Sequence, residues 1–141
     1  MTTTSLLSCF PTEMRYHSYR VSILVSYYTD TNDICFCNKL RDTALLHDML
    51  EDTEFKEEDI EDADVREAVV ILTRKSDETY FDYIQRIIDS KNRYAYFVKI
   101  ADISDHLIQI ETLKPSLKPR YEKALSMLRS AEYFNKKGGT K

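Results

Sequence analysis

The sequence predicts an all-α fold, a single domain built as a bundle of about six or seven helices, and three observations carry that reading. Only two glycines and three prolines occur among 141 residues, too few turn-formers for the hairpins of a sandwich or barrel. Apolar residues recur at steps of three and four along most of the chain. A content of 43% hydrophobic and 31% charged residues suits amphipathic helices around one core, and the length fits one domain of ordinary size.

Residues 1–12 start Thr-rich and read as a frayed N-terminal segment ahead of a domain over residues 13–135. In the first helix Val21, Leu24 and Tyr28 follow His17 at steps of four, three and four, which places His17 on the inward stripe. A second helix is expected over residues 38–50, with Leu40, Leu46 and Leu50 among its apolar positions and His47-Asp48 near its C-terminal end. The acidic stretch after it reads as a turn and a short helix. Asp64 is expected to cap a helix running through Thr73, and Ser76 or Thr79 to cap residues 80–88, where Phe81, Ile84, Ile87 and Ile88 form an apolar face. Ser90 then opens a helix over residues 91–107. There Ala95, Val98 and Asp102 share one stripe, so a carboxylate stands where an apolar residue is expected. Pro115 and Pro119 break the chain before a last helix over residues 120–135, with Tyr121, Leu125 and Leu128 at helical spacing. Residues 136–141, with Gly138-Gly139, read as a flexible tail.

Composition excludes several functions. A formal net charge of −4 and a sequence pI near 5.4 lack the positive field that drives binding to a phosphate backbone, so no nucleic-acid partner is expected. Cys9, Cys35 and Cys37 are odd in number and lack the paired spacing of a disulfide framework or zinc knuckle, which points to a reducing, cytoplasmic setting. Cys35 and Cys37 read as buried or half-buried small hydrophobes. No apolar run approaches the ~20 residues of a membrane span, and no basic stretch precedes Leu6-Leu7 as a secretory leader requires.

Two histidines and two aspartates thus fall on the core-facing sides of three helices: His17, His47 with Asp48, and Asp102. Burying an ionised carboxylate without a partner costs several kcal/mol, and a divalent cation is one of the few partners that satisfies all four side chains together. Mixed imidazole and carboxylate donors favour a borderline ion over magnesium or calcium. One divalent ion is expected, manganese first, with iron, cobalt and zinc as alternatives.

A histidine, then a helix-borne His-Asp pair, then a distant aspartate resembles the ligand order of the HD-domain metal-dependent phosphohydrolases. Residues 44–53, Ala-Leu-Leu-His-Asp-Met-Leu-Glu-Asp-Thr, resemble the LLHDxxEDT block of the guanosine tetraphosphate hydrolases of the stringent response. Val98-Lys99-Ile100-Ala101-Asp102 resembles their VKLAD block. Leu72-Thr73-Arg74-Lys75 followed by Glu78, Tyr80 and Tyr83 looks like the LTR...ExYxxY segment of the small single-domain members, and Arg120-Tyr121 through Leu128 like their closing helix. The similarity spans residues 16–128, in four ordered blocks. Two features depart from the pattern: no Gln-x-Arg-Lys stretch precedes His17, and Ile103 and His106 stand where those enzymes usually carry Arg and Asn.

The resemblance implies a divalent metal held by His17, His47, Asp48 and Asp102, with Glu51 first and Asp52 second as the residues that activate and orient the attacking water. So acidic a neighbourhood repels phosphate, and Arg20, Arg74, Lys75 and Lys99 are the candidate cations that offset it. Lys99 is equally placed to pair with a carboxylate on its own helix. Tyr80 is a candidate for contact with the substrate's base or sugar, and His106, four residues beyond Asp102, for contact with phosphate or metal. The implied activity is hydrolysis of a nucleotide, guanosine 3',5'-bis(diphosphate) first, with release of its 3'-pyrophosphate. The alternatives are phosphohydrolysis of other nucleotides or deoxynucleotides, and an HD module that binds a nucleotide or partner protein without turnover.

Overall fold

The computed structural model describes residues 1–28, 32–109 and 111–131. Among these there is no strand. The helices are α1 (Thr3–Ser8), α2 (Thr12–Val25), α3 (Ile34–Leu46), the one-turn α4 (Met49–Asp52), α5 (Ala63–Ile71), α6 (Tyr80–Ser90), α7 (Arg93–Ile108) and α8 (Lys118–Ser130), with short 3-10 turns at Ser26–Tyr28, Glu57–Asp59 and Pro115–Leu117. Seven of them run six residues or more, in agreement with the predicted helical bundle. None is long and apolar enough to cross a membrane.

The caps explain where the helices begin. Thr79 accepts from the Asp82 N–H and starts α6, as one of its two expected caps. Two other starts shift by a few residues. Asp62, not Asp64, caps α5 by accepting from the N–H groups of Asp64 and Val65. Asn92, not Ser90, caps α7, because Lys91 takes a left-handed conformation (φ 58°) that separates α6 from α7. The second predicted helix begins at Ile34, where the Asp33 side chain accepts from Phe36 N–H, and ends at Leu46. Residues beyond Ala131, including the end of the predicted last helix and the tail, lie outside the described residues.

Helix α7 is the axis of the bundle. Every residue from Ala95 to Ile103 is buried, and α2, α3, α5, α6 and α8 pack around it. Val21, Leu40, Ala44, Ala68, Ile84, Ile87, Val98, Ile100 and Leu128 form the main core. A second cluster corrects the expectation for the N terminus. Residues 1–12 do not fray: α1 is capped by Thr2, and Leu6, Leu7 and Phe10 are buried against Leu46, Met49, Ile60, Val65 and Val69. The segment holds too few apolar residues to show a period, but two adjacent leucines and a phenylalanine suffice once a complementary surface exists. Cys35 is also corrected: it is exposed in the first turn of α3, while Cys37 is half-buried, and the three cysteines are free thiols.

Candidate metal centre

His17 on α2, His47 and Asp48 at the junction of α3 and α4, and Asp102 on α7 converge, their ligating atoms all within 4.8 Å of one another. His17 Nε2 lies 2.8 Å from Asp102 Oδ1 and 3.7 Å from Asp48 Oδ2. His47 Nε2 is 3.2 Å from each of the same two carboxylate oxygens. The local backbone creates this geometry. His47 is the last α-helical residue of α3, and Asp48 (φ −97°, ψ 2°) turns the chain so that both side chains point toward α7 before α4 resumes.

The far side of each ring decides which nitrogen faces the centre. His47 Nδ1 donates to the Ala44 carbonyl at 2.7 Å, and His17 Nδ1 donates to Asp105 Oδ2 at 2.7 Å. With Nδ1 carrying the hydrogen, each neutral ring turns a lone pair at Nε2 toward the carboxylates, where a second acceptor is of no use and a cation is. These four residues could therefore hold a metal ion, and their donor set fits one: two imidazole nitrogens and two carboxylates, each imidazole braced from behind. In the absence of metal the same crowding drives protonation. Burial pulls His47 down, but Asp48 and Asp102 outweigh it and hold the imidazole well above its ordinary range. His17 is likewise raised, burial being overcome by its hydrogen bond to Asp102. Asp102 is held well below the usual carboxylate range: burial opposes this, and Lys99 and His47 win.

Asp102 divides its two oxygens. Oδ1 faces the imidazoles, and Oδ2 accepts from Lys99 Nζ at 2.9 Å. Lys99 is only 8% exposed, so the pair is buried rather than the surface contact open to it from sequence. Behind His17, Asp105 is buried and also accepts from Arg20 Nε at 2.9 and 3.1 Å. Arg20 is thus committed to Asp105 and does not line the cleft, which corrects its assignment to substrate. A residue three positions after a histidine on one helix shares its side of the helix, but here that side faces α7.

The centre opens into a cleft of about 280 Å³ lined by Asp48, Glu51, Asp52, Arg74, Tyr80, Tyr83, Lys99, Asp102, His106, Arg120 and Tyr121. Of the residues proposed from sequence for catalysis or substrate contact, Glu51, Asp52, Arg74, Lys99, Tyr80 and His106 stand on its walls. Lys75 does not: it is exposed, and its backbone N–H binds Glu78 in the turn before α6. Glu51 Oε2 accepts from the Arg74 backbone N–H at 2.9 Å, tying α4 to the loop after α5. Burial raises the Glu51 carboxyl despite that bond, and raises Asp52 with help from Asp48. Arg86 holds the loop in place, donating to the Ile71 and Thr73 carbonyls and to Glu78.

His106 Nε2 lies 3.4 Å from Asp102 Oδ1, and its ring stacks on Tyr121 at 5.0 Å and 4°. Three residues of this region carry no signal as site residues in the sequence: Asp105, Arg120 and Tyr121. Asp105 was findable as a second inward carboxylate on α7, three residues after Asp102; Arg120 and Tyr121 depend on how α8 docks. Ile103, one of the departures from the resembled pattern, is fully buried in the main core and away from the cleft. No family model matches the chain, and a search of curated proteins likewise finds no match.

Proposed function

We propose that the chain is an HD-type metal-dependent phosphohydrolase acting on a nucleotide, with guanosine 3',5'-bis(diphosphate) as the first candidate substrate and manganese as the first candidate metal. The observation that carries the reading is one continuous cleft with a braced two-imidazole, two-carboxylate centre at one end and the cations Arg74, Lys99 and Arg120 along its wall. A divalent ion held by His17, His47, Asp48 and Asp102 supplies Lewis-acid polarisation of a phosphoryl oxygen and makes water a nucleophile near neutral pH. The protein's own groups do the rest. Glu51 keeps Oε1 available while Oε2 is tied to the Arg74 N–H, and its raised carboxyl suits a base that accepts the proton of the attacking water. Asp52, at the end of the same turn, orients that water. Arg74 and Lys99 meet the charge that develops on the phosphoryl oxygens, and the buried Lys99 does so in a site where few waters screen it.

The test is release of phosphate and pyrophosphate from guanosine tetraphosphate, beside a panel of ordinary and deoxynucleotides, with manganese and with chelator. Manganese-dependent release of pyrophosphate from the tetraphosphate, abolished in Glu51→Gln, is the expected result. Turnover of another nucleotide moves the substrate and keeps the mechanism. Silence across the panel with manganese bound refutes the hydrolase and leaves the non-catalytic binding module.

A further inference from the structure

Three buried side-chain atoms among the described residues have no hydrogen-bond partner: Ser18 Oγ, Tyr80 Oη and Arg120 Nε. Two of the three, Tyr80 and Arg120, line the cleft beside the metal centre. Leaving a buried donor unsatisfied costs about 1–3 kcal/mol. Both groups have a hydrogen to give. Burial pushes the Tyr80 phenol up to about 12, so it keeps its proton near neutrality, and a guanidinium has donors alone. What the two lack in common is an acceptor.

The surroundings specify what kind. The Tyr80 ring has three cations about it: the Arg120 guanidinium carbon 3.9 Å from the ring centroid, and Arg74 and Lys99 each at 5.8 Å. The two nearest carboxylates are already engaged, Asp102 Oδ2 with Lys99 and Glu51 Oε2 with the Arg74 N–H. Lys99 belongs to both ends of the cleft, since its ammonium touches Asp102 and also faces Tyr80 and Tyr83. Donors only, like charges gathered and short of counter-ions, and a lysine shared with the metal ligand together describe a place for an anion next to the one on the metal.

We propose that Arg120, Tyr80, Lys99 and Arg74 form a second phosphate subsite, so that the substrate presents a diphosphate group with one phosphoryl at the metal end and the other in this cage. The inference rests on the phosphohydrolase reading and narrows it to nucleotides that carry a phosphoanhydride. It assigns Arg120 and the Tyr80 hydroxyl as the groups that distinguish a diphosphate from a monophosphate.

Calorimetric titration of the manganese-loaded full chain with guanosine 5'-monophosphate and with non-hydrolysable α,β-methylene guanosine 5'-diphosphate tests this. The diphosphate analogue is expected to bind about ten-fold tighter or better, the effect of one charge-assisted hydrogen-bond set. Arg120→Gln should bring the two ligands to within about three-fold of each other while manganese affinity stays unchanged. Tyr80→Phe removes only the hydroxyl, keeps the ring packing, and should lose part of the same preference. Equal affinity of the two ligands for the wild type, or a preference that survives both substitutions, overturns the subsite. Its failure is separable from that of the hydrolase: preferred diphosphate binding without turnover of any nucleotide leaves the subsite and removes the enzyme, and turnover with no diphosphate preference does the reverse.

Discussion

Removing Asp105 should weaken manganese binding although Asp105 is not among the four proposed ligands. Its carboxylate is buried, and Oδ2 accepts from His17 Nδ1 at 2.7 Å, which fixes the tautomer and aims Nε2 at the centre. Loss of such a brace behind a ligating histidine costs about 10- to 100-fold in metal affinity, or about 1.4–2.8 kcal/mol. The two oxygens contribute unequally. Arg20, the other partner, has a side chain 41% exposed and regains water when Asp105 is removed, so its share is small. Asp105→Asn retains an acceptor for the Nδ1 hydrogen but loses the charge, and should fall near ten-fold; Asp105→Ala loses both and should approach 100-fold. Arg20→Ala should change affinity by less than about three-fold. Free manganese measured by electron paramagnetic resonance during titration reads each value, with helical circular dichroism as the check on folding. Wild-type affinity in a folded Asp105→Ala protein refutes the argument that tautomer control behind His17 builds the centre.

Two further outcomes follow from the same structure. Without metal, His47 and His17 titrate above the ordinary 6.5, so the folded protein holds protons that the unfolded chain has released; this stabilisation is complete below that value and is lost as pH rises through the folded-state values. Manganese competes for the same nitrogens, so the rise in Tm it produces should grow between about pH 6 and about pH 8, and a thermal-shift series showing no pH dependence counts against the imidazole ligands. Leu6 is fully buried under α3 and α5, so Leu6→Ala should destabilise the protein by about 2–5 kcal/mol in urea unfolding, whereas a frayed N terminus predicts no measurable change.

Much of the centre was legible in the sequence because its information is local. His17 is marked by Val21 and Leu24 on its stripe, His47-Asp48 by its place at a helix end, and Asp102 by interrupting an apolar run on the most buried helix. Arg20 and Lys75 were misassigned for one reason: charge and proximity in sequence say that a cation is near the site, but not which way it faces. Arg20 turns to Asp105 across the α2–α7 interface, and Lys75 stays in solvent because the turn before α6 is organised by Glu78 and Arg86.

The sequence by itself determined the helical class, the approximate span of six elements and the four residues that meet at the centre, since each follows from a period of 3.6 residues or from a polar exception to it. The tertiary structure decided which side chains serve one another across helices. The brace from Asp105 to His17 joins positions 88 residues apart, and the placing of Arg120 over Tyr80 depends on α8 crossing α6, a relation that no local spacing encodes. The docking of α1 belongs to the same class: Leu6, Leu7 and Phe10 have no pattern of their own, and only the apolar surface of α3, α4 and α5 gives them a reason to be ordered.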